Sequence, residues 1–205
     1  MAKKKQVLYP VLFMLILTAA YTFVLAFINE STIEIIEAQE ELRLQKSILY
    51  VFDIPFEDEQ SVVNKLFEER LETVESEDMT YYIFKNEGSI DGYAFPLAGN
   101  GLWGSISGYV AISPDFETLL GIDFVAHSET PGLGGRIDEE WYKEQFRTLD
   151  ASGDPPVVYR PASGGNIDAI TGATLTSTSV SAIVNNFMTE IKIFAEEENL
   201  YDGNN

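Results

Sequence analysis

Residues 167–181 read IDAITGATLTSTSVS and place seven hydroxyl side chains, Thr171, Thr174, Thr176, Ser177, Thr178, Ser179 and Ser181, around a small TGAT core. The apolar positions that follow recur at helical spacing, so the cluster lies at the start of a helix. One hydroxyl is enough to cap a helix, by accepting a bond from a free first-turn amide. A helix start also offers several amides without acceptors and the positive end of the dipole, a setting that suits a phosphate. Gly172 and Ala173 would let such a group come close to the backbone. Capping and phosphate binding both remain open on these residues alone. The chain has no cysteine and a single histidine, His127. That excludes disulfides, iron–sulfur ligation, thiol nucleophiles and a histidine metal cluster, so any redox chemistry must come from a bound organic cofactor.

Two further loops are rich in glycine. HSETPGLGG, residues 127–135, follows an apolar run, but its spacing is not G-x-G-x-x-G and its context is antiparallel, which argues against a dinucleotide fold. Its glycines would allow close approach to a flat ring, or make a plain surface turn. In LAGNGLWG, residues 97–104, Leu102 and Trp103 are large apolar side chains in a loop that need a partner, either a cofactor ring or the sheet edge. His127 reads as a structural hydrogen-bonding residue, since electron passage does not require a fixed acid there. The acid-rich stretches at 57–77 and 196–198 read as solvated faces.

The elements that must position these loops are legible from periodicity. STIEIIEAQEELRLQKSILYVF has Ser31 and Glu34 at capping-box spacing, which predicts a helix opening at Ser31. Val62, Val63, Leu66, Phe67 and Leu71 predict a second, amphipathic helix. MTYYIFK, SIDGYAF, ISGYVAIS and LLGIDFVAH, separated by turns such as NEG and SPDF, predict consecutive strands of a mostly antiparallel sheet. DEEWYKEQF predicts a short helix, and PVVYR and NIDAI predict two short strands around PASGG. From Thr174 onward, Val180, Ile183, Val184, Phe187, Met188, Ile191 and Phe194 form one apolar stripe that must pack on the sheet. The fold class expected is α+β, with one anchoring helix followed by a single domain.

Residues 7–28 carry no charge and would make about 33 Å of apolar helix, enough to cross a bilayer. The run continues without a small-x-small cleavage site, which favours a retained anchor over a secretory signal. Lys3, Lys4 and Lys5 before the span and Glu30, Glu34 and Glu37 after it put the N-terminus in the cytoplasm by the positive-inside rule. The formal charge is −20, and with Lys3–Lys5 set aside 10 basic residues face 33 acidic ones. An acidic body repels phosphate backbones, so nucleic acid is excluded as a partner. The expected organisation is a cytoplasmic N-terminus (1–6), a transmembrane helix (7–28), a juxtamembrane helix and linker (29–56), an extracytoplasmic domain (57–200) and a frayed tail (201–205).

Asp168 followed by Thr171-Gly172-Ala173-Thr174 resembles the D-x-x-[S/T]-G-A-T pattern of flavinylated proteins, in which a flavin transferase esterifies the last threonine with FMN. GNGLWG and HSETPGLGGRI, with Trp141 and Phe146 beyond, resemble the loops of the FMN-binding subunits of ion-translocating Rnf and Nqr complexes. One membrane helix before such a domain is also that family's layout. The resemblance implies covalent FMN on Thr174, with Leu102, Trp103, Glu129, Thr130, Gly132, Leu133, Gly134, Asp168, Thr171, Gly172, Ala173, Thr176 and Ser177 around the cofactor. It implies no catalytic residue and no metal ligand, a flavin transferase during maturation, and partner subunits in a bacterial inner membrane complex. Asp168 would position Thr174 or the transferase's metal, or only bond to its own turn. No histidine adjoins Thr174 to activate it, so attachment requires an external enzyme. The compact length favours the Rnf ferredoxin:NAD+ oxidoreductase subunit. The alternatives are the NqrC subunit of the Na+-translocating NADH:quinone oxidoreductase, a stand-alone flavinylated carrier, or an anchored binding domain without redox function.

Overall fold

The computed structural model describes residues 2–86 and 88–202, and the side chains of residues 8–86 and 88–201. The expected turn residue Glu87, the tail residues 203–205 and the side chains of Lys3–Lys5 lie outside the described residues. The chain divides into two compact units, residues 1–41 and 42–205.

The first unit is a single stretch of helix. Helix α1 runs without a break over Ala2–Val51, and Leu8 begins a helix long and apolar enough to cross a membrane. No helix opens at Ser31. Because the chain before it is already helical, the Ser31 hydroxyl donates back to the carbonyl of Phe27, at 2.7 Å, instead of capping a new first turn.

The second unit is a sheet between two helical layers. After the end of α1 come α2 (Gln60–Arg70) and six strands, β1 (Leu71–Glu75), β2 (Thr80–Asn86), β3 (Ser89–Asn100), β4 (Ser105–Ile112), β5 (Thr118–Ala126) and β6 (Leu149–Asp150). They pair in chain order, each antiparallel to the next. The side-chain alternation of period two sorts the strands between two cores. Tyr81, Ile83, Tyr93, Phe95, Val110 and Ile112 face one cluster, while Tyr82, Ala94 and Ala111 face the other. The first cluster is covered by α4 (Thr174–Glu197), whose Val180, Ile183, Val184, Phe187, Met188, Ile191 and Phe194 are all buried. The second is covered by Leu42, Ile48, Leu49 and Val51 from the end of α1 and by Val63 of α2. Arg147 fixes that end, donating to the carbonyls of Tyr50 and Leu120 and to the Glu144 carboxylate.

Three expectations change in detail. Leu71 leaves the amphipathic helix and opens β1, a short edge strand beyond Arg70. DEEWYKEQF forms α3 (Glu140–Lys143) followed by a 3-10 turn over Glu144–Phe146. PVVYR and NIDAI make no strands, only one parallel bridge between Tyr159 and Ile167. The Asn166 side chain supplies the missing pairing instead, binding the Val158 amide and the Pro156 carbonyl.

Candidate functional site

An antiparallel meander returns alternate loops to the same end of the sheet. The β3–β4 loop (101–104) and the exit of β5 (127–135) therefore meet, since Ser107 of β4 pairs with Ala126. The first turn of α4 reaches the same place, because α4 packs across β3 with Ile183 against Gly99.

Glu129 joins the three. Its side chain is 4% exposed. Oε1 accepts the amides of Leu102, at 2.7 Å, and Trp103, at 3.1 Å, and Oε2 accepts the Thr176 hydroxyl, at 2.6 Å. Its own amide donates to Nδ1 of His127, whose Nε2 meets Asp138 at 2.8 Å, so the imidazole proton is held on Nε2. Burial works against ionisation of Glu129, but the bonds from Thr176, Trp103 and Leu102 outweigh it and hold the carboxyl below the usual range. Gly101 and Gly134 press directly on the carboxylate. A methyl group at Gly101 would sit 2.5 Å from Oε1, and one at Gly134 would sit 2.6 Å from Oε2 and closer still to Thr176 Oγ1.

The helix start has no side-chain cap. Ala173 occupies the cap position, and its amide is bonded to the carbonyl of Ile170. By helix geometry the amides of Thr174, Leu175 and Thr176 have no intrahelical acceptor. Thr174 is exposed, whereas Thr176 and Ser177 are 1% exposed and engaged inward, Ser177 Oγ accepting the amide of Ile170. Within the first turn of α4 the hydroxyls thus divide into Thr174, which is exposed, and Thr176 and Ser177, which build the turn; Thr178 and Ser181 bond to the carbonyls of Thr174 and Val157. Gly172 has φ +81°, a conformation that glycine adopts without strain, and the Leu133 side chain lies over it. Thr171 and Gly172 are exposed in the turn. Leu102, Trp103, Leu133 and Leu175 expose large apolar surfaces on these same loops, Trp103 at 68%. The exposed Thr130 and Gly132 form the turn beneath Leu133, the Thr130 carbonyl accepting the amides of Leu133 and Gly135.

Asp168 stands apart from that wall. Its carboxylate pairs with Arg160 at 3.0 Å on the surface, and its backbone is held on both sides by Gln145. Sequence reasoning did not anticipate Arg160, Gln145, Asp138 or Leu175 here. Only Gly134 carried a readable signal, as one of the loop glycines that let another group come close.

The donor set fits FMN. An exposed alcohol, three amides without an intrahelical acceptor and the positive end of a 24-residue helix suit a phosphate, and an exposed apolar wall suits a flat ring. Among the described residues there is no acidic or histidine group able to hold a metal ion.

Comparison with known proteins agrees with this geometry. A family model described as the FMN-binding domain matches residues 101–189. The NqrC subunit of the Na+-translocating NADH-quinone reductase of Pseudomonas aeruginosa is 35% identical over 116 residues, covering 51% of this chain and 44% of that protein. Its counterpart in Neisseria meningitidis serogroup B is 37% identical over 107 residues, covering 48% and 42%. The chain thus spans less than half the length of these curated relatives. The crystal structure of Shewanella oneidensis NqrC superposes with a TM-score of 0.64 at 19% identity, over 73% of this chain and 93% of that one. The corresponding reductase subunit from Parabacteroides distasonis gives 0.62 at 24% identity, over 73% and 89%, and both likenesses concern the fold. Residues 101–189 thus match the FMN-binding-domain model, and about half of the chain is similar to the C subunits of Na+-translocating NADH-quinone reductases.

Proposed function

We propose that this chain is an electron-carrying subunit of a multisubunit membrane complex, with FMN held by a phosphoester to Thr174. The observation that carries the reading is the place of Thr174, an exposed alcohol at the first position of an uncapped helix whose neighbours Thr176 and Ser177 are buried and already bonded.

Bound FMN supplies reversible electron transfer. The residues of this chain hold it. The amides of the first turn of α4 would hold the phosphate, and Leu102, Trp103, Leu133 and Leu175 would give the ring an apolar wall. Thr130, Gly132 and Gly134 shape the loop under that wall, and Thr171, Gly172 and Ala173 shape the approach to Thr174. Asp168, held by Arg160 and Gln145, is a surface mark for the maturing enzyme.

Joining an alcohol to a phosphate monoester would require loss of water, so the donor must be activated. A flavin dinucleotide meets this need. A bond forms from Thr174 Oγ1 to the flavin-side phosphorus, the pyrophosphate P–O bond breaks, and a nucleoside monophosphate leaves. The hydroxyl proton goes to a base of the flavin transferase, because no base of this chain adjoins Thr174.

The names of the relatives favour the quinone-reductase assembly over the Rnf assembly that chain length suggested, and we take the NqrC subunit of an Nqr-type complex as the pattern for its partners. The apolar part of α1 would anchor the chain, and the charges on either side of it support a domain outside the cytoplasm by the positive-inside rule.

Expression with a flavin transferase, followed by a denaturing gel, tests the attachment. A fluorescent band is expected from the wild type and from Thr178→Val, and none from Thr174→Val. Fluorescence that survives Thr174→Val would refute the site.

A further inference from the structure

Glu129 is the only acidic side chain among the buried polar residues described. A carboxylate that binds a ligand keeps an oxygen directed at it. Here both oxygens are taken by the chain itself, Oε1 by the amides of Leu102 and Trp103 and Oε2 by the Thr176 hydroxyl. Gly101 and Gly134 close around the group so tightly that neither position has room for a methyl. The three donors come from two segments far apart in sequence, the loop that carries Leu102 and Trp103 and the first turn of α4. Thr176 lies two residues beyond Thr174 on that turn. The contacts therefore connect the apolar wall to the attachment point.

We propose that Glu129 is a positioning residue: its carboxylate locks the Leu102–Trp103 turn to the first turn of α4, setting the wall and Thr174 in one register and keeping a negative charge beside the attached cofactor. The inference rests on the reading that Thr174 carries FMN. It departs from direct cofactor binding by Glu129, because the residue is buried and each carboxylate oxygen already accepts a bond from the chain itself. Reduction adds negative charge to a flavin, so an anion held nearby disfavours it and lowers the midpoint potential.

The test uses the full chain in detergent, with and without flavin. In the flavin-free protein, Thr176→Val removes the α4 side of the lock without touching the loop. Amide hydrogen exchange at Leu102 and Trp103 should then accelerate about fivefold, the change that follows from losing one hydrogen bond of ordinary net strength. Thr178→Val, on the same helix but bonded to the Thr174 carbonyl instead, should leave exchange at those amides unchanged. In the flavinylated protein, Glu129→Gln should raise the flavin midpoint, whereas Thr176→Val, which keeps the charge, should raise it less. Unchanged exchange in Thr176→Val, or an unchanged midpoint in Glu129→Gln, overturns the proposal. Should Glu129→Gln fail to fold, the exchange arm decides alone. If the wild type takes up no flavin, it is the FMN reading that fails, and the exchange measurements still decide whether the lock exists.

Discussion

Replacing Gly134 by alanine puts the packing around Glu129 to a quantitative test. The added methyl would lie 2.6 Å from Glu129 Oε2 and nearer to Thr176 Oγ1, closer than a carbon can approach either oxygen. Both are side-chain atoms, but neither side chain can swing away cheaply, since Glu129 is 4% exposed and Thr176 1%. Overpacking of this kind costs about 1–3 kcal/mol. Separating the Thr176 hydroxyl from a charged acceptor adds about 1.5–3 kcal/mol. A loss of about 2.5–6 kcal/mol is expected, and at about 2–4 °C per kcal/mol for a domain of this size the melting temperature should fall by roughly 5–24 °C. Gly132→Ala is the control, because its φ of +74° imposes only backbone strain and the space around it is open. Circular dichroism of the full chain in detergent at pH 7 reads both. In a Thr176→Ala background the cost of Gly134→Ala should shrink, since one of the two obstructing oxygens is gone. An equal cost in both backgrounds, or a Gly134→Ala variant that melts no lower than Gly132→Ala, would show that this packing is not what holds the loops together.

Two more outcomes follow from the same contacts. Glu129 is held below its ordinary pKa, so its contribution to stability is complete above the unfolded value of about 4.5 and is lost as pH falls through the lower folded value. The melting temperatures of wild type and Glu129→Gln should therefore differ at pH 7 and converge as the pH is taken to 3, and a gap that persists in acid would contradict the ionised carboxylate. Arg147→Met should free the carbonyls of Tyr50 and Leu120 and leave Glu144 with the Tyr50 hydroxyl but no guanidinium, at a cost of about 1.5–3 kcal/mol. Limited proteolysis should then cut more readily between Asp53 and Phe56, and unchanged cleavage would show that the end of α1 is held by its apolar contacts alone.

The parts legible in the sequence are those that depend on local periodicity. The stripe from Val180 to Phe194 and the four apolar runs between Met79 and His127 gave the last helix and β2 to β5, because burial on one face imposes a period. The edge strand β1 was hidden because Leu71 lies four residues after Phe67 and so extends the helical pattern, while Glu72 and Glu75 look like a solvated face. Ser31 misled for a related reason: a capping box marks a helix start only where the preceding chain is not helical. PVVYR has strand composition, yet its backbone pairing stops at one bridge to Ile167, and the Asn166 side chain takes the Val158 amide and the Pro156 carbonyl. At the site, residue types indicated an alcohol, a helix start and glycine loops. The bond from Glu129 to Thr176 spans 47 residues, and no spacing rule could reveal it or divide Thr174 from its buried neighbours.

The proposed function turns on one covalent bond, and mass spectrometry of the chain isolated from its native membrane reads that bond without intermediaries. Digestion should yield a peptide containing Thr174 that is heavier by FMN less one water, with fragment ions placing the added mass on Thr174. An unmodified Thr174 peptide as the only form, or the added mass on Thr171, Thr176 or Ser177, would contradict the attachment.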